Sequence, residues 1–152
     1  MRWGLIPSWA EDATIGNKLA NVRGETVAGK PSFRSAFKHR RCLIPASSFY
    51  EWKAEQGIKQ PWYISLVSGE PVESCCIITT EANGLMRPIH DRMPVILDAG
   101  QWHDWLSPNM KQGDKLLPMI RCHDPASMQA WPVTRELNRI GLRDDAGLTG
   151  RI

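Results

Sequence analysis

The fold is set by residues 42–67, which read CLIPASSFYEWKAEQGIKQPWYISLV. Aromatic and β-branched side chains, which favour strands, are concentrated in residues 48–53 and 60–67, and Gly57 between them marks a turn. Residues 42–45 predict another strand, which a Pro-Ala bend separates from the first. Together these segments predict a meander of neighbouring strands.

Outside this meander the sequence predicts further short strands and two or three helices. Residues 74–80 and 93–97 are compact apolar runs of strand length. Asp98 followed by Gln101 is typical of a capping box and predicts a helix through Leu106. The apolar side chains of this helix are expected in the core: Trp102, Trp105 and Leu106. The predicted fold class is therefore α+β.

A basic stretch precedes the meander. Residues 30–41 read KPSFRSAFKHRR and contain no acid. Ser32 can cap a short helix in which Phe33 and Phe37 share one face. The basic side chains would then point elsewhere: Arg34, Lys38 and Arg41. Such a face suits a phosphate backbone, because lysine and arginine contacts release condensed counterions. A merely solvated helix surface is the alternative.

Length and composition predict one domain. The chain has 152 residues, of which 42% are hydrophobic, and seven tryptophans can help to fill a core. We expect the domain over residues 1–140 and a polar, frayed tail over residues 141–152. No apolar run approaches the roughly 18 residues of a membrane span, which predicts a cytoplasmic protein without a membrane partner.

The four cysteines show no spacing typical of a metal or redox motif. Cys42, Cys75, Cys76 and Cys122 include no CxxC pair, so neither a zinc site nor a thioredoxin-like motif is predicted. We expect reduced thiols in the core, and we expect no metal or organic cofactor.

Two short motifs place titratable groups in apolar surroundings. They are Phe49-Tyr50-Glu51-Trp52-Lys53 and Pro88-Ile89-His90-Asp91-Arg92-Met93-Pro94. Desolvation beside aromatic rings would raise the pKa of Glu51 toward the range useful for proton transfer, where histidine titrates by default. The two residues are therefore a candidate acid/base pair. Alternatively, Glu51 faces solvent on an alternating strand and His90 is an ordinary loop histidine.

Several motifs taken in order resemble successive signatures of the SOS response-associated peptidase (SRAP) family. Their order and spacing match over roughly residues 1–140. The matching stretches are Trp3-Gly4-Leu5-Ile6-Pro7-Ser8-Trp9, Asn21-Val22-Arg23-Gly24-Glu25-Thr26, Cys42-Leu43-Ile44-Pro45-Ala46, Phe49-Tyr50-Glu51-Trp52-Lys53, Gln60-Pro61, Ile78-Thr79-Thr80-Glu81-Ala82-Asn83 and Ile89-His90-Asp91-Arg92-Met93-Pro94.

The resemblance implies both a fold and a chemistry. It implies an SRAP-like α+β domain built on a mostly antiparallel, β-barrel-like sheet with a few flanking helices. It also implies a protein that binds single-stranded DNA and links covalently to the ring-opened aldehyde of an abasic site. A monomer is expected by default. In the family, an N-terminal cysteine exposed by autoproteolytic removal of methionine closes a thiazolidine ring with that aldehyde.

The resemblance also implies roles for individual residues. It assigns the active site to three positions: Asn21, Glu51 and His90. Glu51 would supply protons to the sugar ring oxygen and during imine formation, His90 would stabilise the same oxygen, and Asn21 would orient the nucleophile. It assigns DNA contacts to Trp9, Arg23, Thr79 and Arg92, and the basic helix adds Arg34.

Some of these residues have structural alternatives. Asn21 can cap a turn, Thr79 can be an ordinary strand residue, and the two family arginines can pair with neighbouring carboxylates. For Trp3 we expect a core position.

The sequence departs from the family pattern in two places. Family members begin with Met-Cys-Gly-Arg several dozen residues before the Trp-Gly-x-x-Pro motif, whereas this sequence starts at that motif. Residues 69–75 also look shortened, because the family places another strand there. We therefore expect these 152 residues to bind single-stranded DNA without forming a stable cross-link. A noncatalytic single-strand binding module and an unrelated small hydrolase are the alternative function classes, so enzymatic activity stays open.

Overall fold

The computed structural model describes residues 3–66, 77–111, 113–138 and 148–152. The chain divides into two compact units. Unit 1 comprises Met1–Pro45, Val72–Glu81 and Met93–His123, and unit 2 comprises Ala46–Pro71, Ala82–Arg92 and Asp124–Ile152. The single domain over residues 1–140 stays a prediction.

The described residues form short strands and helices, as an α+β class predicts. The strands are β1 (Asn21–Arg23), β2 (Ser48–Glu55), β3 (Ile58–Leu66), β4 (Ile77–Glu81), β5 (Arg92–Pro94) and β6 (Met128–Pro132). The α-helices are α1 (Gly24–Val27), α2 (Arg34–His39), α3 (Ala99–Leu106) and α4 (Gly113–Leu116). Short 3₁₀ helices cover Ala13–Lys18, Leu117–Met119, Pro125–Ser127 and Arg135–Asn138. The described strands form two three-stranded sheets rather than a closed barrel.

The first sheet has the strand order β1-β4-β5. Strand β1 runs parallel to β4, with Arg23 opposite Thr79. Unit 1 has an apolar core under this sheet. Its buried members are Val22, Val27, Phe33, Phe37, Leu97, Trp105 and Leu116.

The Trp-Gly-x-x-Pro motif depends on a close backbone approach. Gly4 has φ +110, and a Cβ placed there would lie 2.1 Å from the carbonyl oxygen of Gly16. The N–H of Leu5 donates to the carbonyl of Leu19 at 3.1 Å. Only glycine fits such a position, so the motif fixes the N-terminal segment against the first 3₁₀ helix.

Helix α2 confirms the predicted anchoring of the basic stretch, with one correction. Phe33 and Phe37 are buried, at 4% and 6% exposure. The N-cap is Phe33 without a side-chain cap, so the prediction of a Ser32 cap was wrong. Burial of Phe33 and Phe37 stabilises the folded chain, because the free energy falls when both rings leave water. This stabilisation holds the helix start in place without a side-chain cap.

Helix α3 begins at the predicted capping box. The N–H of Asp98 donates to Oε1 of Gln101 at 3.1 Å. Trp105 is buried at 5% exposure, whereas Trp102 is 37% exposed and Leu106 is 50% exposed. The core prediction was therefore wrong for Trp102 and Leu106, because one face of a two-turn helix has room for only one large ring against the core.

The second sheet belongs to unit 2 and has the order β2-β3-β6, with antiparallel neighbours. Gln56 and Gly57 join β2 to β3, and both have positive φ, which is typical of a two-residue type I′ hairpin. Residues 42–45 do not form a strand, so that part of the predicted meander was wrong. Strand β6, from far along the sequence, is the third strand instead.

The C-terminal residues 148–152 pack within unit 2. Leu148 is buried at 5% exposure, and the indole N–H of Trp131 donates to the carbonyl of Thr149 at 2.9 Å. The N–H of Ile152 donates to the carbonyl of Pro132 at 3.3 Å. Residues 148–152 are therefore held and not frayed as expected, while residues 139–147 lie outside the described part of the chain.

The cysteine prediction needs a correction. Cys42 and Cys122 are exposed, so they are not the core thiols that were expected. Cys75 and Cys76 lie outside the described residues. Among the residues that the structure describes, no helix is long and apolar enough to cross a membrane.

Candidate functional site

Strand β1 holds Asn21 and Arg23 on an exposed face of unit 1. Val22 between them is buried, because successive residues of a strand point to opposite faces. Thr79 lies opposite Arg23 on β4, and its hydroxyl donates to the carbonyl of Val22 at 3.4 Å. The structure therefore brings Asn21, Arg23 and Thr79 together, and Asn21 begins a strand instead of capping a turn.

Gly24 allows the chain to turn into α1 directly after Arg23. A Cβ at Gly24 would lie 2.2 Å from Cγ2 of Ile120. Any larger residue would push the end of β1 away from its neighbours. The glycine of the Asn-Val-Arg-Gly motif thus positions the arginine, a role that became visible only with the tertiary contact.

The N-terminal segment of unit 1 exposes two tryptophans. Trp9 is 58% exposed and Trp3 is 53% exposed. The prediction that Trp3 lies in the core was wrong. An exposed indole suits stacking on an unpaired base, as the family resemblance implies for Trp9.

Helix α2 presents a basic surface. Arg34 and Lys38 are exposed, and so is Arg40 just beyond the helix. With Phe33 and Phe37 buried underneath, these charges are carried on an anchored helix. This geometry suits contact with phosphates.

Arg41 is not part of that surface, which corrects the prediction. Its guanidinium donates five hydrogen bonds to backbone carbonyls at the ends of α2 and α3. The bonds run from Nε to Trp105 at 2.7 Å, from Nη1 to Phe37 at 2.8 Å and Lys38 at 3.1 Å, and from Nη2 to Ser107 at 2.9 Å and Met110 at 2.7 Å. Desolvation by burial lowers the pKa of Arg41. Arg41 is therefore structural, because all five of its N–H donors are used within unit 1.

Glu51 lies half-buried on β2 of unit 2. Its cross-strand neighbour is Trp62, and Oε1 accepts a hydrogen bond from the N–H of Trp52 at 3.1 Å. The next pair on the same face includes Ile64, which is fully buried. Glu51 is thus half-buried on the face that carries Ile64, and Trp52, which is 37% exposed, lies on the opposite face of the strand.

Trp62 carries an unsatisfied donor beside Glu51. Its indole N–H is buried and has no hydrogen-bond partner among the described residues, and Nζ of Lys53 lies 6.0 Å from its ring centroid. A buried donor without a partner costs about 1–3 kcal/mol. Trp62 therefore contributes ring packing without an indole hydrogen bond, whereas the indole N–H groups of four other tryptophans donate hydrogen bonds: Trp52, Trp102, Trp105 and Trp131.

This difference gives a testable prediction. We expect Trp62→Phe to change the free energy of unfolding by less than about 0.5 kcal/mol, because the ring is largely kept and an unsatisfied donor is removed. Trp105→Phe is the matched control and should cost about 1–3 kcal/mol, since it breaks the indole bond to the carbonyl of Cys42 at 3.1 Å. Urea unfolding measures both. Equal losses would contradict the prediction.

His90 lies in an exposed loop of unit 2 and is held by its neighbours. Its Nδ1 lies 3.1 Å from Oδ1 of Asp91 and accepts from the N–H of Arg92 at 3.0 Å. A neutral ring that accepts at Nδ1 carries its proton at Nε2, and a protonated ring would place its Nδ1–H near the Asp91 carboxylate. Nδ1 also lies 3.2 Å from the carbonyl oxygen of Arg92. In the tautomer in which Nδ1 accepts from the N–H of Arg92, Nε2 is a donor and suits stabilisation of an oxygen.

The predicted residues thus form two groups. Asn21, Arg23 and Thr79 lie together in unit 1, while His90 lies next to Arg92 in unit 2, which also carries Glu51. Their roles in binding and catalysis stay predictions. Among the described residues no cluster of three or more His, Cys, Asp or Glu could hold a metal ion.

The fold and these groups define a class of protein: a small α+β protein whose described residues form two three-stranded sheets and carry exposed arginines and a half-buried carboxylate. The family model for SOS response associated peptidase (SRAP) matches residues 1–72 and 67–140. The chain therefore belongs to the SRAP family.

Relatives and solved structures agree with this membership. Abasic site processing protein YoqW of Bacillus subtilis (strain 168) is 42% identical over 156 residues, which cover 91% of this chain and 70% of that protein. Abasic site processing protein HMCES of Xenopus tropicalis is 31% identical over 163 residues, covering 79% of this chain and 49% of that protein. A crystal structure of a protein from Bacteroides thetaiotaomicron has a TM-score of 0.85 at 28% identity and covers 99% of this chain and 75% of that one.

Proposed function

We propose that this protein processes abasic sites in single-stranded DNA. Membership of the SRAP family and the names of the relatives, abasic site processing proteins, support the substrate. The exposed arginines of β1 and α2 support DNA binding. Single-strand preference, a monomeric state and a cytoplasmic location are parts of this proposal.

The position of Glu51 carries the chemical part of the proposal. Its half-buried position opposite Trp62 partly shields a carboxyl group from bulk water at a place where it can take part in proton transfer. An abasic sugar exists as a closed hemiacetal that must open before its aldehyde reacts. Opening breaks the bond between the anomeric carbon and the ring oxygen, and Glu51 supplies the proton that the ring oxygen then needs while water takes the proton of the anomeric hydroxyl.

His90, which belongs to the same unit as Glu51, acts in the same proposed chemistry. His90 stabilises the ring oxygen through Nε2–H, the donor left when Nδ1 accepts from the N–H of Arg92. Asn21 of unit 1 keeps the role that the family resemblance implies for it, that of a neutral amide donor and acceptor. An amine that attacks the open aldehyde releases water as the imine forms, and the same carboxyl can protonate that leaving oxygen. The thiazolidine cross-link and the autoproteolysis that the family resemblance implies both use an N-terminal cysteine, so the chemistry proposed for these 152 residues is limited to ring opening and imine formation.

Borohydride trapping tests the proposal directly. Borohydride reduces the imine that any protein amine forms with an open aldehyde, so the assay does not presuppose which residue is the nucleophile. We expect the protein to be trapped on single-stranded DNA that carries one abasic site and not on the matching intact strand. Absence of trapping on the abasic strand would contradict a function at abasic sites.

The proposed DNA contact of Arg23 predicts a change in how the affinity for single-stranded DNA depends on salt concentration. Arg23→Gln should weaken binding to single-stranded DNA a few-fold and lower the slope of log affinity against log salt by about 0.7, the value for one phosphate contact on a single strand. Fluorescence anisotropy over a salt series measures both. Arg121→Gln is the matched control, because Arg121 is an exposed arginine 3.6 Å from Oδ2 of Asp98. Equal slopes for the two variants would contradict the Arg23 contact.

A noncatalytic single-strand binding module is the second candidate function. The exposed basic side chains of α2, which serve binding and no chemistry, favour it. The two candidates differ in their dependence on Glu51, since only an enzyme needs that carboxyl.

A further inference from the structure

Three aromatic rings form a ladder across the second sheet. Tyr50 on β2 lies opposite Tyr63 on β3, and Tyr63 lies opposite Trp131 on β6. The ring centroids of Tyr50 and Tyr63 are 5.6 Å apart with a T-shaped geometry, and those of Tyr63 and Trp131 are 4.9 Å apart. All three side chains are only half-buried. The aromatic ladder is therefore partly accessible to a ligand.

The aromatic ladder lies on the opposite face of the sheet from Glu51. Tyr50 and Glu51 are consecutive residues of β2, and consecutive side chains of a strand point to opposite faces. A ligand on the aromatic ladder would not be held by the face that carries Glu51. The proposed chemistry leaves this aromatic surface without a function.

A cavity with hydrogen-bonding walls adjoins the aromatic ladder. It has a volume of about 280 Å³, and its lining includes Tyr63, Trp131, Ser47, Ser65 and Gln129. Nε2 of Gln129 donates to Oγ of Ser65 at 3.1 Å. Its volume lies at the lower edge of the roughly 300–1,000 Å³ range of ligand pockets, so the cavity suits one small planar group. A side-chain amide offers both a donor and an acceptor, which matches the edge of a base.

A positive charge lies at one end of the aromatic ladder. Cζ of the exposed Arg151 lies 4.8 Å from the ring centroid of Trp131, within the range of a cation–π contact. The indole N–H of Trp131 is held by the carbonyl of Thr149 at 2.9 Å, which fixes the ring. An arginine beside an aromatic platform favours an anionic polymer with flat bases over a neutral ligand such as a sugar.

We propose that the aromatic ladder and its cavity form a second binding site, which takes an undamaged base of single-stranded DNA while Arg151 contacts the adjoining phosphate. The choice of DNA as the partner rests on the proposed function. The site itself rests on the stacked rings, the amide and the guanidinium of unit 2. Stacking on aromatic rings accepts any base, so the site should show little sequence preference.

Photo-cross-linking of the full chain tests the location. The probe is an intact oligothymidylate in which one thymine is replaced by bromouracil, and the cross-linked peptides are mapped by mass spectrometry. We expect adducts on Tyr63 or Trp131. Adducts found only on peptides of unit 1 would overturn the proposal. A competition experiment gives a second check, in which unlabelled competitors reduce cross-linking to Tyr63 or Trp131. Equal competition by thymidine monophosphate and by the intact oligonucleotide at the same nucleotide concentration would also overturn the proposal.

Affinity measurements with the same intact strand test the energetics. Trp131→Leu should raise Kd at least about fivefold, as expected for the loss of one stacked base. Trp102→Leu is the matched control, because Trp102 is an exposed tryptophan whose indole N–H also bonds a backbone carbonyl, that of Leu97 at 3.0 Å. Arg151→Gln, a surface change that leaves the rings in place, should raise Kd about two- to threefold and lower the salt slope by about 0.7.

These variants separate the second site from the proposed function. If Arg23→Gln weakens binding while Trp131→Leu and Arg151→Gln do not, the second site is overturned and DNA binding by unit 1 stands. If the variants of the aromatic ladder weaken binding but trapping on abasic DNA is absent, the second site stands and the proposed processing fails. Failure of all variants to change Kd would overturn the second site and contradict the predicted Arg23 contact.

Discussion

Glu51→Gln is expected to slow borohydride trapping on abasic single-stranded DNA by about 10²–10⁴-fold, the usual contribution of a general acid or base. Glutamine keeps the shape of the side chain and its position opposite Trp62 on β3, but it has no proton to transfer at the sugar ring oxygen. The Kd for the same DNA should stay within about twofold of the wild-type value. Single-turnover trapping and anisotropy measure the two quantities separately.

A matched control is available on the same strand. Glu55→Gln removes an exposed carboxylate of β2 that is ion-paired with Lys53 at 2.6 Å, so it makes the same change of charge four residues away from the half-buried Glu51. It should trap DNA at the wild-type rate. Trapping by Glu51→Gln at the wild-type rate, with binding intact, would instead identify a noncatalytic binding module.

Arg41→Lys is expected to lower the free energy of unfolding by about 2–3 kcal/mol. Lysine has three donors on a single nitrogen, so it cannot reach the carbonyls of Trp105, Phe37 and Met110 together as the planar guanidinium does. The carbonyls left unpaired at the ends of α2 and α3 would each cost stability, because a hydrogen bond to a charged group contributes about 1.5–3 kcal/mol. Urea unfolding of the variant measures the loss.

The neighbouring arginine provides the control for this prediction. Arg40 is exposed, so Arg40→Lys makes the same change of residue type away from the five hydrogen bonds of the Arg41 guanidinium. It should leave the free energy of unfolding unchanged within about 0.5 kcal/mol. If Arg41→Lys and Arg40→Lys unfold at the same urea concentration, the guanidinium of Arg41 does not hold the two helix ends together.

Elements whose signals are local were predicted well. The β2–β3 hairpin follows from aromatic and β-branched residues on both sides of Gln56 and Gly57, and a two-residue turn with positive φ needs no distant contact. The start of α3 follows from Asp98 and Gln101, three positions apart. The anchoring of α2 follows from the spacing of two phenylalanines. The family was also recognisable from ordered motifs, and the match over residues 1–140 confirms it.

Predictions that depended on the identity of a distant neighbour were less successful. Residues 42–45 have strand composition, yet β3 pairs with β6, which is more than sixty positions away in sequence. Trp3 and Trp102 are hydrophobic by composition but exposed, because burial depends on whether another element covers them. The C-terminal residues looked polar, and only their contacts with Trp131 and Pro132 show that they are held.

The candidate site divides in the same way. The sequence by itself determined the family and the residue types of the candidate site, because motifs are made of adjacent residues. It also determined that the side chains of Glu51 and Trp52 point to opposite faces of a strand, because strand periodicity is a local property. Only the tertiary structure decided that Arg41 is structural and that Gly24 is needed against Ile120. It alone also showed the aromatic ladder of Tyr50, Tyr63 and Trp131. These features arise from contacts between segments far apart in the chain, and such contacts are fixed by packing and hydrogen bonding of the folded chain, not by any local pattern.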